Sequence, residues 1–184
     1  MTATKDDTSI LVWARKVQAI AQTGLAFTHD PYDRERYTQL QDLVATLLAS
    51  ELDIPLNRAR AFWDQENGYA TPKVDVRGAI FDGDKVLLVR EIFEESGYHA
   101  KAIKLAALVD KNRHPHPPSV HHIYKLLFLC ELTGGTATIS NETDAVEFFP
   151  INALPELSTG RTLASQIARM YEHQLNRDLP TDFD

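Results

Sequence analysis

Cysteine is almost absent: Cys130 stands alone in 184 residues. No intrachain disulfide can form, so stability must come from packing. Cys130 falls in the apolar run from Lys125 to Leu132, where a small buried hydrophobe is the expected role rather than a nucleophile. No apolar run approaches the ~20 residues that span a bilayer, and no basic start followed by an apolar stretch marks a secretory leader. A cytoplasmic protein is the expectation. Positive charge is also scarce. The formal net charge of -7 argues against broad attraction to nucleic acid or an anionic membrane surface. A phosphate-bearing small ligand stays open, because a bound divalent cation reverses the local field. Repeats and low-complexity tracts are lacking as well.

What is present suits one principal core with a small accessory domain. The first third reads as helical. Ile10, Trp13, Val17 and Ile20 recur at helical spacing, with Gly24 as a stop. Asp30-Pro31-Tyr32-Asp33 announces a second helix: Asp30 caps the free amides, Pro31 fits the first helical position, and Asp33 favours the positive end of the dipole. Tyr37, Leu40, Val44 and Leu47 form its apolar stripe, and a short third helix is expected over Arg58 to Gln65.

The texture changes after Thr71-Pro72. Val74 to Phe81 and Lys85 to Val89 read as strands around the turn Asp82-Gly83-Asp84. Ala102 to Val109, His121 to Leu132, Thr136 to Ile139 and Val146 to Phe149 are further strands. Leu163, Ile167, Met170 and Tyr171 mark a last amphipathic helix. The boundary is expected near Gly68 to Pro72, giving a helical domain over 1–68 and an α/β domain over 69–184. The acidic end, Asp178 to Asp184, reads most simply as a solvated tail, with docking through Phe183 as the alternative.

The most informative stretch is Arg90-Glu91-Ile92-Phe93-Glu94-Glu95-Ser96-Gly97-Tyr98. On a helix, Glu91, Glu94 and Glu95 stand at i, i+3 and i+4 and share one face. Like charges there repel by only about 0.2–0.5 kcal/mol per pair, so a solvated acidic face is the plain alternative. Hard oxygen donors on one rigid face suit Mg²⁺ or Mn²⁺.

These nine residues resemble the second half of the Nudix box, G-x5-E-x7-R-E-U-x-E-E-x-G-U, where U is apolar or aromatic. The wider resemblance takes in Trp13 to Tyr37, Gly68 to Arg77, Asp110 to Pro118, His122 to Leu132 and Leu179 to Asp184. All look like a bacterial Nudix group with a helical N-terminal domain, acting on X-linked nucleoside diphosphates. That resemblance implies an α/β/α sandwich around a mixed sheet, preceded by the helical domain. It implies Glu91, Glu94 and Glu95 as metal ligands, Glu91 also near the attacking water, and Arg90 as the residue that orients the carboxylates. Glu142 is a fourth carboxylate, as general base or extra ligand; an ordinary turn residue is its alternative. The implied chemistry is metal-dependent hydrolysis of the diphosphate, with ADP-ribose as first substrate and CDP-choline second.

One departure stands out. Val89-Arg90-Glu91 runs straight from strand into the second half-box, so the box's first glycine and glutamate have no counterpart. A deletion, a degenerate paralogue or a stretch that the sequence omits would each produce this. A real deletion leaves a folded but weak or inactive enzyme, or a nucleotide-binding protein derived from one.

Lys111, Arg113 and His114 are expected as phosphate or ribose contacts at a cleft mouth, with solvated loop residues as the leading alternative, and Arg77 and Asp75, alternating on one strand, as substrate-facing residues. His114, His116, His121 and His122 make a rival zinc constellation, without a recognised ligand spacing. Phe27 and Tyr69 are candidate base platforms, with core packing as the alternative. An apolar stripe on a small three-helix unit needs a partner surface, so a homodimer is expected.

Overall fold

The Asp30 cap forms as its sequence dictates: the carboxylate accepts the amides of Tyr32 at 2.8 Å and Asp33 at 3.0 Å, and Pro31 opens the helix. The structure, a computed structural model, describes residues 10–64, 66–89, 97–135 and 147–184. By internal contacts the chain divides into two compact units, Met1–Pro72 with Pro118–His122, and Lys73–Pro117 with Ile123–Asp184.

The first unit holds α1 (Ile10–Phe27), α2 (Pro31–Glu51) and α3 (Leu56–Ala61). Its core is built from Leu11, Ala14, Val44, Ala45, Leu48 and Ala59, and the small residues allow the helices close approach. Gly24 does not stop α1, which runs on to Phe27. A Cβ at Gly24 would lie 2.4 Å from the Tyr37 ring, so this glycine marks a helix contact rather than a helix end. The expected stripe on α1 holds in part. Ile10 and Val17 pack on the core, but Trp13 and Ile20 are 55% and 60% exposed, and the deeply buried face is Leu11, Ala14, Gln18, Ala21 and Gln22. On α2, Val44 is buried as expected, but Leu48 rather than Leu47 is its deeply buried leucine. Both helices carry two apolar stripes, and periodicity cannot say which one the chain covers. Residues 118–122 belong to this unit. Val120 packs on its core, and Arg15 donates to the His121 carbonyl at 3.3 Å.

The second unit is a six-stranded mixed sheet with one described α-helix. Its strands are β1 (Lys73–Asp82), β2 (Lys85–Val89), β3 (Tyr98–Asp110), β4 (Ile123–Gly135), β5 (Phe149–Pro150) and β6 (Asp182–Phe183), in spatial order β5-β2-β1-β4-β3-β6. β1 runs parallel to β4 and β3 parallel to β6; the other pairs are antiparallel. Alternation sorts the side chains. Ala79, Leu127 and Leu129 form one core with Ile167 and Met170 of α4 (Ala164–Leu175). Ile80, Leu87 and Cys130 form a second cluster with Phe128 and Phe148, so Cys130 is the buried hydrophobe expected of it. This is the mixed sheet that the resemblance implies. The acidic end is not a solvated tail. It forms β6 against β3, and Thr181 Oγ1 donates to the Leu105 carbonyl at 2.7 Å, although Asp178, Pro180, Phe183 and Asp184 stay exposed.

Candidate active site

Arg90, Glu91, Glu94, Glu95 and Glu142 lie outside the described residues, as do the strand expected over Thr136 to Ile139 and most of that over Val146 to Phe149. The described fold does fix where their segments attach. Tyr98, two residues after Ser96, pairs with Gly135, the residue before Thr136. Gly135 sits at φ +86°, and a Cβ there would meet the Gly97 carbonyl oxygen at 2.3 Å. Only glycine permits both the backbone angle and the approach. The chain carrying Glu91 to Glu95 and the chain carrying Glu142 therefore join the sheet at neighbouring points.

A charged cluster occupies the α4-facing side of the sheet. Asp75 and Lys125 are register partners on the parallel β1–β4 pair, and Lys125 Nζ donates to Asp75 Oδ2 at 2.5 Å with its side chain wholly buried. Arg77, two residues along the same face, donates from Nη2 to Asp75 Oδ2 at 3.2 Å. Its Nε lies 3.0 Å from Oδ1 but off the hydrogen-bond axis, so that contact is an ion pair without a hydrogen bond. Burial alone would raise the pKa of Asp75, but the hydrogen bond and charge of Lys125, helped by Arg77, hold it below the usual carboxylate range. Lys125 is a site residue that sequence reading missed. Its signal is there: a lysine in step with Leu127 and Leu129 on the core-facing side of a strand.

Beyond β3 a single 3₁₀ turn, Lys111–Arg113, is capped by Asp110, whose Oδ1 accepts the Asn112 amide at 2.9 Å. Partial burial, with repulsion from Lys125, lowers the pKa of Lys111 despite the nearby Asp75. His114 Nε2 lies 2.8 Å from Asp184 Oδ2. His116 uses both ring nitrogens. Nδ1 is 2.6 Å from the Thr159 carbonyl oxygen, and Nε2 is 3.1 Å from Gln166 Nε2. The carbonyl requires the proton on Nδ1, so Nε2 accepts from the amide. Burial first, then repulsion from Lys125, Lys111 and His114, lowers the His116 pKa, against the opposing pull of Thr159; the neutral ring already has both partners.

Of the four expected substrate contacts, Arg77 and His114 are thus held by carboxylates. The side chains of Lys111 and Arg113 have no hydrogen-bonded or ion-paired partner among the described residues. The four histidines are divided between the units, His114 and His116 in one and His121 and His122 in the other. Among the described residues no group of three His, Cys, Asp or Glu could hold a metal ion. Phe27 and Tyr69 pack on each other, ring centroids 4.8 Å apart.

Asp182, on β6, receives Arg169 through Nε at 2.6 Å and Nη2 at 2.8 Å, with His173 Nε2 at 3.1 Å. Arg169 chiefly lowers the Asp182 pKa from 3.8 to about 2. A depressed carboxylate contributes stability that is present above its unfolded pKa and lost as pH falls through its folded one. The unfolding midpoint of the wild type is therefore expected to drop between pH 4 and about 2, and Asp182→Asn to flatten that drop. Equal slopes in urea titrations across that window would refute the assignment.

Two family descriptions match the chain in succession: a UDP-X-like, N-terminal oligomerisation domain over residues 8–63 and the NUDIX domain over residues 63–171. The chain belongs to the Nudix superfamily. This Nudix chain is 37% identical to the putative ADP-ribose pyrophosphatase YjhB of Bacillus subtilis (strain 168), over 98% of its own length and 99% of the relative's. Among solved structures it resembles a UDP-X diphosphatase, with TM-score 0.58 and 29% identity over 95% of this chain and 98% of that one. It also resembles an ADP-ribose pyrophosphatase from Streptococcus suis 89-1591, with TM-score 0.56 and 31% identity over 62% of this chain and all of the other. It is a hydrolase acting on diphosphates. The Bacillus alignment spans 206 positions against 184 residues here, so the relative carries at least 22 residues without a counterpart. No described helix is long and apolar enough to cross a membrane.

Proposed function

We propose that this Nudix hydrolase cleaves the diphosphate of a nucleoside diphosphate linked to another group, ADP-ribose first and CDP-choline second. The match to a UDP-X-like N-terminal domain followed by the NUDIX domain carries this reading. The relatives named for ADP-ribose and UDP-X support it. Glu91, Glu94 and Glu95 would hold a divalent cation, Mg²⁺ or Mn²⁺. Carboxylate oxygens are the donors such hard ions prefer, and none of the described residues offers a rival set. A bound ion neutralises phosphate charge and acidifies water. Arg90 orients the carboxylates, Glu91 lies near the attacking water, and Glu142 serves as base or extra ligand; the shared attachment point at Gly97 and Gly135 favours that role. Lys111 and Arg113 grip substrate anions, flanked by Arg77 and His114 in their carboxylate-held positions.

The helical unit presents Trp13, Ile20 and Leu43 to solvent, a surface suited to a homodimer, in line with the oligomerisation domain that it matches. A reducing cytoplasm is the proposed compartment. With Mg²⁺ the protein is expected to release AMP from ADP-ribose faster than CMP from CDP-choline, and to stop on chelation. Chromatography showing no nucleoside monophosphate from either, nor from a UDP-sugar, would sink the hydrolase reading.

A second reading, a nucleotide binder with little turnover, rests on the box's first glycine and glutamate having no counterpart in the sequence. ADP-ribose binding by calorimetry without monophosphate release would favour the second reading.

A further inference from the structure

Lys111 and Arg113 lie on a turn of only three residues, a length that has no stability of its own, yet it is held from three sides. From within, Asp110 Oδ1 accepts both the amide and the side chain of Asn112, at 2.9 and 3.0 Å. From downstream, His116 is fixed between Thr159 and Gln166. The third hold is remote in sequence. Asp184 accepts the Asp110 amide through Oδ1 at 2.8 Å and meets His114 Nε2 through Oδ2 at 2.8 Å. One carboxylate thus bridges both ends of the turn, entering at Asp110 and leaving at His114.

Asp184 is itself placed by covalent neighbours that cannot drift. Asp182 is pinned by Arg169 and His173, Thr181 by the Leu105 carbonyl, and β6 pairs with β3 at Ala107 and Leu108. Asp184 makes these contacts by satisfying donors, so its charge is spent inside the turn. The two cations between its anchor points keep theirs. Buried Lys125 lies close enough to repel Lys111, and Asp75, its ion-pair partner, offsets part of that repulsion. A cationic turn that is already ordered avoids the ordering cost that a mobile one meets on binding an anion.

We propose that the Lys111–Arg113 turn is a preformed grip for an anionic group of the substrate, and that Asp184 is the positioning residue that holds it ready. The proposal rests on the reading that Lys111 and Arg113 contact substrate. Asp184 touches no substrate atom; it acts through Asp110 and His114.

The test is a double-mutant cycle on the full chain, with ADP-ribose as probe in chelator so that binding alone is read. Asp184→Asn keeps the shape and one acceptor but loses the charge, while Asp184→Glu keeps the charge. The joint variant Lys111→Ala/Arg113→Ala removes the grip. Asp184→Asn is expected to raise Kd about 10-fold with an unchanged thermal midpoint, Asp184→Glu to recover part of it, and Asp184→Asn to cost nothing further once Lys111 and Arg113 are alanine. If Asp184→Asn binds as the wild type while Lys111→Ala/Arg113→Ala is weakened, the clamp is overturned and the grip stands. If the two losses simply add, Asp184 does not work through the turn and the clamp is again overturned. If Lys111→Ala/Arg113→Ala binds as the wild type, the assignment of the two cations fails, and the clamp with it.

Discussion

Inserting the front of the box, G-x5-E-x7, between Val89 and Arg90 is expected to raise monophosphate release from ADP-ribose at least about 100-fold. The reason is positional. Three carboxylates on one helix face work only when that face is held in place, and an error of about an ångström in a catalytic group costs on the order of 100-fold. In this chain Arg90 and Glu91 follow Val89 directly, and the front of the box has no counterpart. The insertion restores the box's first glycine and glutamate ahead of the three carboxylates. Steady-state turnover of the two chains side by side decides it. Equal rates would mean that the shortened link already presents its carboxylates correctly, and the second reading would fall.

Asp75→Ala is expected to lose about 3–5 kcal/mol of stability, the range for removing one partner of a buried ion pair. Lys125 is wholly buried and has its hydrogen bond to Asp75; without it, a charge is left in the core beside Arg77, which loses the same carboxylate. Adding Lys125→Met should recover most of that loss, because a buried methionine needs no partner. Urea unfolding of the two variants against the wild type measures both effects. A loss below about 1 kcal/mol for Asp75→Ala, the scale of an exposed pair, would show that water reaches Lys125 and that the cluster is not a buried one.

Much of the fold was legible because local rules suffice for it. The Asp30 cap, the turn at Gly83 and the alternation of β1, β2 and β4 are properties of neighbouring residues. Where two readings satisfy the same local rule, sequence could not choose. α1 carries one stripe through Trp13 and Ile20 and another through Leu11 and Ala14, and only the α2 partner decides between them. Gly24 looked like a helix stop until the ring of Tyr37 was placed against it.

The site divides in the same way. The order of residues by itself determined the family and the half-box with its three glutamates, because a fixed spacing of fixed residue types is information along the chain. It also determined that the front of the box has no counterpart. Tertiary structure alone decided that Asp75, Arg77 and Lys125 share one charge cluster, and that Asp184 closes on a turn some 70 residues away. Those contacts depend on strand register and on the path of the C-terminal strand, which no local preference encodes. Electrostatic and hydrogen-bonding energies depend on distance in space, and distance in space is what the sequence leaves unwritten.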